Sequence, residues 1–344
     1  MKLYDENGYV NIRAILNQHQ PFNFVWGGRG TGKTYGALSA MIEDGVRFML
    51  MRRTQTQLDL ISKPEFSPFK SINQDKGYNA HIVPLSKYNG GIYNLQETEG
   101  KLIPSGPPIG YTCALSTVTN IRGFDASDVQ VLIYDEFIPE AHSKPIKGEA
   151  DAFLNAYETI NRNRELTGKP PLQVICLANA NRLANPLFIG LGLLEKAEAM
   201  SRYGQELSII GSRGICLVNL CRSEISSKKR ATALYRFTGD NEFSQMALSN
   251  KFAGEDETST IGSRPLREYA PLVTIGEITI YRHKSRGEYH VSTHKSGTPT
   301  AFGVGEMERE RFKKSYFWLW REYIGNRVTF ENRLCEILLT EYFK

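Results

Sequence analysis

The chain has 344 residues, of which 41% are hydrophobic and 23% charged, so an ordinary globular protein with room for two domains is expected. No apolar run approaches the roughly 20 residues that cross a bilayer, and the N-terminus lacks a signal-peptide core, so we expect a cytoplasmic protein with no membrane partner. The five cysteines form no C-x-x-C pair, which argues against a disulfide framework and a zinc site, and the net charge of +5 is weak support for a polyanionic partner.

The first motif lies between residues 22 and 34, where a short apolar run of strand-forming residues is followed by GGRGTGKT. This sequence fits G-x-x-x-x-G-K-[ST], in which glycines let backbone N–H groups turn toward phosphates and a following helix presents its positive end to them. Lys33 adds a charge toward the β and γ phosphates, and the Thr34 hydroxyl can hold Mg²⁺. An accidental glycine-rich turn is the alternative. The predicted phosphate-binding residues are Gly27, Gly28, Arg29, Gly30, Thr31, Gly32, Lys33 and Thr34.

A second strand is expected over residues 47–51, and it ends in Arg52 and Arg53. Arginines at the ligand-binding edge of an open α/β sheet could face phosphate or DNA, and a solvated strand end is the alternative. Residues 60–105 are polar and punctuated by proline and glycine, so we interpret them as an inserted excursion with a small hairpin, outside the core. After the next strand, IGYTCALS, Arg122 lies beside a flexible glycine, where it could reach a neighbouring site or cap a loop.

Residues 129–137 read VQVLIYDEF, a continuous apolar run that is typical of a strand buried on both faces, with Asp135 and Glu136 at its end. Two acids at the end of a buried strand are costly unless something positive meets them. Mg²⁺ held by Asp135 would supply this charge, and Glu136 would polarise a water for attack on the γ phosphate. The alternative is a carboxylate pair that caps a helix.

A helix is expected over residues 149–161, and it leads into Arg162. This arginine could act as a finger on the nucleotide of the next subunit, or it could favour the negative end of its own helix. The strand expected over residues 172–180 ends in Asn179. In P-loop proteins with an added catalytic glutamate, this strand lies between the acid-bearing strand and the phosphate-loop strand. Asn179 would then face the γ phosphate and the attacking water.

The composition changes after a strand expected over residues 215–220, where a basic segment with little apolar content begins at Arg222. We interpret this segment as a linker that is either solvated or in contact with nucleic acid. The last part of the chain reads as strands, with a hairpin around residues 285–287, followed by two amphipathic helices. No aspartate occurs after residue 256, which argues against a two-metal nuclease site, since such sites depend on clustered carboxylates.

Several motifs, taken in order, resemble those of one family. They are GGRGTGKT, MRR after the second strand, VLIYDEF, RNRE, LANA with NP shortly after, and LSNKFAG. Together they resemble the genome-packaging ATPases, or encapsidation proteins, of small protein-primed tailed phages of the phi twenty-nine type. The resemblance runs from about residue 20 to about residue 255, and it is most specific in the phosphate loop with its Arg29, in DEF and in RNRE.

The resemblance implies an α/β fold in three parts. Residues 1–222 would form a P-loop ATPase domain of the additional-strand, catalytic-glutamate division, with a mostly parallel sheet. Residues 223–255 would form the basic linker. Residues 256–344 would form a small α+β domain that looks like an RNase H fold without its catalytic acids, in agreement with the missing aspartates.

The resemblance also implies the activity and the site residues. The protein would use ATP and Mg²⁺ to drive double-stranded DNA into a procapsid as a homomeric ring, with five subunits, in the host cytoplasm and transiently at the portal vertex. Lys33 and Thr34 would bind nucleotide and Mg²⁺, Asp135 would hold Mg²⁺, and Glu136 would activate water. Arg162 would act in trans. Arg122 occupies about the position of a lysine that the family uses at the subunit interface. Motors of this family also dock on a structural prohead RNA, and the sequence of this chain does not show whether it does so.

Two classes of alternative stay open at the level of sequence. The first is another nucleic-acid motor, either a terminase with a working nuclease or a helicase. The second is a non-enzymatic assembly protein in which nucleotide merely holds a ring together.

Overall fold

The computed structural model describes all residues except 1, 122–123, 141–142, 144–145, 180–182, 240–243, 245–247, 249–260, 298 and 344. Arg122 therefore lies outside the described residues. The chain divides into two compact units, Met1–Ala253 and Gly254–Lys344. In the described part of the chain, none of the helices is both long enough and apolar enough to span a membrane.

One large sheet organises the first unit. Its strands are β1 (Phe22–Gly27), β2 (Phe48–Arg52), β3 (Ala80–Pro84), β4 (Gly90–Thr98), β5 (Lys101–Pro104), β6 (Gly110–Ala114), β7 (Val131–Asp135), β8 (Gln173–Asn179), β9 (Leu207–Ile210) and β10 (Ile215–Leu220). Their spatial order is β3-β4-β6-β2-β7-β8-β1-β10-β9, with β5 paired to β4. In this spatial order the six strands β6-β2-β7-β8-β1-β10 are parallel to one another, which confirms the expected α/β fold and mostly parallel sheet.

The position of β8 decides where the polar strand ends meet. It lies between β7 and β1, so the expected additional strand between the acid-bearing strand and the phosphate-loop strand is confirmed. The register pairs Asp135 with Leu177 across one side of β8, and it pairs Gly27 with Asn179 across the other. Because parallel strands all end at the same edge of a sheet, the loops that follow β2, β7, β8 and β1 emerge close together.

Helices of the first unit flank this sheet. They are α1 (Ile12–Leu16), α2 (Lys33–Glu43), α3 (Gln55–Ile61), α4 (Phe69–Lys76), α5 (Glu149–Asn161), α6 (Pro186–Gly190), α7 (Leu194–Arg202), α8 (Glu224–Lys229) and α9 (Ala233–Thr238). Local sequence explains several ends. Thr54 and Gln57 form a capping box at the start of α3, and Asn185 caps α6, whose first residue is Pro186.

The interpretation of residues 60–105 as an excursion outside the core is wrong. In the structure β4 pairs antiparallel with β6 and β3 pairs with β4, so this region extends the large sheet. Phe69, Ile72, Ile82 and Ile92 are buried in the main hydrophobic cluster of the unit. The polar and turn-forming residues that suggested a surface loop belong to the solvated face and the connections of edge strands, where only alternate side chains point inward.

The second unit has its own five-stranded sheet and hydrophobic core. Its strands are β11 (Tyr269–Ile275), β12 (Ile278–His283), β13 (Tyr289–Ser292), β14 (Thr300–Phe302) and β15 (Val328–Phe330), and its helices are α10 (Glu306–Ile324) and α11 (Arg333–Glu341). The strand order is β14-β11-β12-β13-β15. The expected hairpin is β12–β13, and a turn at Gly276, whose φ is +54°, joins β11 to β12. The RNase H resemblance of this unit stays a prediction.

Candidate functional site

The phosphate-loop motif connects β1 to α2, as its sequence predicts. Gly30 and Gly32 have φ values of +75° and +81°, in the left-handed region that side chains disfavour. Lys33 is the first residue of α2, and its ammonium donates hydrogen bonds to the carbonyl of Gly28 at 2.8 Å, the carbonyl of Gly27 at 3.2 Å and the Thr31 hydroxyl at 3.2 Å. The loop therefore encloses a buried cation.

Asp135 and Thr34 meet at the end of β7. The Thr34 hydroxyl lies 3.0 and 3.1 Å from the two carboxylate oxygens of Asp135, and Arg52 Nη1 lies 2.6 Å from Oδ2. A hydroxyl and a carboxylate are oxygen ligands of the kind that Mg²⁺ takes, usually together with substrate phosphates and water. The residues present therefore fit the cation that the sequence predicted, although no group of three or more His, Cys, Asp or Glu side chains suited to a metal occurs among the described residues.

Glu136 leaves the strand direction directly after Asp135. Its φ of +62° is unusual for a residue with a side chain, and such backbone strain is concentrated at functional sites. Arg52 Nη2 lies 2.6 Å from Glu136 Oε2, and Gln57 Nε2 donates to the same oxygen at 3.2 Å. Arg52 thus bridges both acids, and the side chain of Glu136 keeps 44% of its surface exposed, which leaves it accessible to water.

Asn179 and Glu136 line the same small cavity, together with Arg53 and Gln57. Asn179 ends β8 and pairs in register with Gly27, where the phosphate loop begins. The structure therefore brings the predicted phosphate loop, metal ligands, base and sensor asparagine to one edge of the sheet.

The paired arginines lie at the end of β2, and the alternative of a solvated strand end is wrong, because their side chains are only 11% and 2% exposed. Arg52 contacts the two acids, as described above. Arg53 is buried and forms an ion pair with Glu149 at the start of α5, at 2.7 Å from Nε to Oε1 and 2.8 Å from Nη2 to Oε2. The hydroxyl of Tyr134 donates to the same carboxylate at 3.3 Å. Arg53 therefore joins α5 to the sheet beside the site, and contact of Arg52 with phosphate stays a prediction.

Arg162 is not brought to this cluster within its own chain. It follows the last residue of α5, its guanidinium donates to the Phe124 carbonyl at 2.8 Å, and it lies 3.6 Å from the Asp125 carboxylate. Phe124 precedes β7, so Arg162 lies toward the amino ends of the strands, and the length of a five-residue strand, about 16 Å, separates that edge from Asp135. The side chain is 46% exposed.

Two contacts to the phosphate loop come from parts of the chain that the sequence did not connect with it. The backbone N–H of Val10 donates to the Thr31 carbonyl at 3.0 Å, which places the N-terminal segment against the loop. Lys229, at the end of α8, donates to the Arg29 carbonyl at 2.7 Å. Neither contact can be predicted from the spacing of residues in the sequence. Lys229 and Arg29, for example, lie 200 residues apart.

The electrostatics of the loop favour an anion. Burial lowers the pKa of Lys33 to about 7, and the charges of Lys229 and Arg29 act in the same direction, while Asp135 opposes them. A negatively charged ligand would favour the charged form of Lys33 and raise its pKa again. Strongly shifted pKa values are concentrated at functional sites.

Known phage proteins are similar to this chain. The model of the Podovirus DNA encapsidation protein (Gp16) family matches residues 4–266. The DNA packaging protein of Bacillus phage phi29 is 26% identical over 259 residues, which cover 74% of this chain and 68% of that protein. The DNA packaging protein of Bacillus phage B103 is 28% identical over 249 residues, which cover 71% of this chain and 68% of that protein.

Two solved structures share the fold over nearly the whole chain. One is a chain of the bacteriophage Phi-29 viral genome packaging motor assembly, with 20% identity, coverage of 97% of this chain and 98% of that chain, and a TM-score of 0.68. The other is the Phi-28 gp11 DNA packaging motor, with 19% identity, coverage of 98% and 97%, and a TM-score of 0.63. Because the family model spans most of its residues, the chain belongs to the Podovirus DNA encapsidation protein (Gp16) family.

Proposed function

We propose that this protein is an ATP-driven motor that moves double-stranded viral DNA into a procapsid. Membership of the DNA encapsidation family supports the biological role. The observation that carries the enzymatic part is the contact of Thr34 with Asp135, beside the buried Lys33 of the phosphate loop. Hydrolysis of a nucleoside triphosphate needs this combination of a phosphate cradle, a cation site and a nearby base.

Each residue of the site then has a chemical role. The backbone of the loop and Lys33 bind the phosphates, and Thr34 and Asp135 hold Mg²⁺, which supplies positive charge to the phosphate oxygens when bound. Glu136 accepts the proton of the attacking water. The amide of Asn179 orients that water or the γ phosphate. The Arg52 guanidinium holds Asp135 and Glu136 in their relative orientation in the free protein.

The test of the function is the rate of ATP hydrolysis with and without double-stranded DNA, at several protein concentrations. A motor that assembles as a ring should hydrolyse ATP faster with DNA, and the rate per subunit should rise with concentration. DNA affinity should fall steeply with salt, because a translocating protein contacts mainly phosphates. An ATP-switched assembly protein would show neither DNA stimulation nor salt-sensitive DNA affinity, and this outcome would reject the motor.

The rival nucleic-acid motors are tested by separate assays. A terminase would cleave DNA when given divalent metal, and a helicase would separate strands. We expect neither activity. For DNA cleavage the reason is that no aspartate occurs after residue 256, whereas two-metal nuclease sites depend on clustered carboxylates.

The proposed partners follow from the family and from the position of Arg162. They are further copies of the chain in a ring of five, the portal vertex of the procapsid, double-stranded DNA and a structural prohead RNA. The site of action would be the host cytoplasm, with transient attachment to the portal.

Arg162 should act on the nucleotide of a neighbouring subunit. It is exposed and lies at the opposite edge of the sheet from Asp135 of its own chain, so only another copy can receive its charge at a γ phosphate. Arg162→Ala and Glu136→Gln should each be nearly inactive alone, because one lacks the finger and the other the base. Mixed at varying ratios, they should regain hydrolysis at interfaces that combine the intact Arg162 and the intact Glu136. Absence of recovery at every ratio would argue against a finger in trans.

Nucleotide binding should take up a proton above about pH 7. Burial lowers the pKa of Lys33 to about 7 in the free protein, and a phosphate beside it would favour the charged form. The bound state then holds a proton that the free state has lost, so ATP affinity should fall about tenfold between about pH 7 and pH 8.5. Calorimetric titration in two buffers of different ionisation enthalpy measures the uptake. Lys33→Arg keeps its charge at every pH and serves as the control; equal proton uptake in the two proteins would exclude Lys33 as the source.

A further inference from the structure

Lys229 reaches the phosphate loop from a distant part of the sequence. It is the last residue of α8, and its ammonium donates to the backbone carbonyl of Arg29 at 2.7 Å. A Cβ atom placed on Gly30 would lie 2.1 Å from the same nitrogen, so the ammonium lies directly against the backbone of the phosphate loop. The roles proposed above leave Lys229 unassigned.

Three cations contact the loop or belong to it, and they differ in whether a carboxylate lies beside them. Arg29 lies 3.1 Å from the Glu140 carboxylate. For Lys33 and Lys229, no ion pair with a carboxylate occurs among the residues that the structure describes. Burial and the charge of Arg29 lower the pKa of Lys229, and Lys229 in turn helps to lower that of Lys33. A polyphosphate bound at this loop would favour the charged forms of both lysines.

We propose, on the basis of the proposed ATPase function, that Lys229 is a second polyphosphate-binding lysine, which joins Lys33 on the nucleotide of its own chain. In the free protein its partner is a neutral carbonyl. A phosphate oxygen carries a larger negative charge and forms a stronger hydrogen bond with an ammonium, so Lys229 exchanges the Arg29 carbonyl for the nucleotide.

This exchange makes α8 responsive to the nucleotide. The segment is attached beside the loop by the Ser223 hydroxyl, which donates to the Gly8 carbonyl at 2.9 Å, and by the buried side chain of Ile225. Lys229 is a third attachment, and a bound polyphosphate replaces its hydrogen bond to the neutral Arg29 carbonyl with a stronger charge-assisted one, which release of the nucleotide reverses. Residues 224–238, which include α8 and α9, are therefore more strongly held in the nucleotide-bound state.

The test compares Lys229→Met with Lys228→Met in the full chain. Lys228 is the adjacent lysine, and its ammonium lies 3.4 Å from the Asn7 carbonyl and 3.9 Å from Glu224, away from the loop contact. Affinity for Mg-ATP, measured by calorimetric titration, should fall about tenfold in Lys229→Met and stay at the wild-type value in Lys228→Met. Lys229→Arg should recover most of the affinity, because it keeps the charge.

A second readout follows the segment itself. Hydrogen exchange of the backbone amides in residues 224–238 should slow on addition of Mg-ATP in the wild type and in Lys228→Met, but not in Lys229→Met. Lys229→Gln is measured in parallel, so that a folding defect of one variant does not decide the test.

Two results would overturn the inference while leaving the proposed function intact. One is wild-type ATP affinity in Lys229→Met, and the other is an equal loss of affinity in Lys229→Met and Lys228→Met, which would indicate general electrostatics. Failure of the wild-type protein to bind Mg-ATP would instead reject the proposed function, and the inference with it.

Discussion

Replacement of Glu136 by Gln should slow ATP hydrolysis about a thousandfold, within the range that a general base contributes, and should change ATP affinity by no more than about threefold. The amide cannot accept a proton from water, but it has the size of the carboxylate and can still hydrogen-bond Arg52 and Gln57. The phosphate loop and the Thr34–Asp135 pair, which would bind the nucleotide, are unchanged. Steady-state turnover and calorimetric titration with Mg-ATP measure the two quantities separately.

The matched control for this substitution is Glu97→Gln. Glu97 is an exposed carboxylate on β4, which pairs with β3 and β5 away from the acid-bearing strand. Its replacement should leave hydrolysis unchanged. Normal turnover in Glu136→Gln would show that Glu136 is not the base, and a large loss in ATP affinity would show that it binds nucleotide instead.

Replacement of Arg53 by Met should lower the free energy of unfolding by about 3–5 kcal/mol, because Glu149 would remain in the interior without the guanidinium that lies 2.7 Å from it. Both side chains are almost completely buried, at 2% and 0% exposure. In a unit of this size the loss corresponds to a fall of about 10 °C in the melting temperature. Differential scanning calorimetry of the nucleotide-free protein measures it.

Two controls separate the buried pair from ordinary loss of an arginine. Arg13→Met removes an exposed arginine that lies 2.7 Å from Glu43 and 2.8 Å from Asp44, and it should cost less than about 1 kcal/mol, as exposed ion pairs do. The double variant Arg53→Met with Glu149→Met should regain much of the lost stability, because an apolar pair of similar volume can replace a buried ion pair. Equal effects of Arg53→Met and Arg13→Met would contradict the assignment of the buried pair.

The sequence by itself determined the phosphate loop, the acid-bearing strand and the class of sheet. These features depend on residues that are adjacent in the chain. The loop needs glycines at fixed positions before Lys33 and Thr34, and the strand needs a continuous apolar run before Asp135. Strand and helix periodicity is also local, which is why the expected helix over residues 149–161 agrees with α5.

Only the tertiary structure decided which distant side chains meet. The order of strands places Arg52 beside Asp135. The packing of helices against the sheet and the loop brings Arg53 to Glu149 across 96 residues, and Lys229 to Arg29 across 200. The structure also shows that residues 80–98 extend the large sheet, and that Arg162 lies at the opposite edge of the sheet from Asp135 of the same chain. Such contacts depend on register and on the direction of each strand, which follow from packing of the whole core, and no spacing along one sequence encodes them.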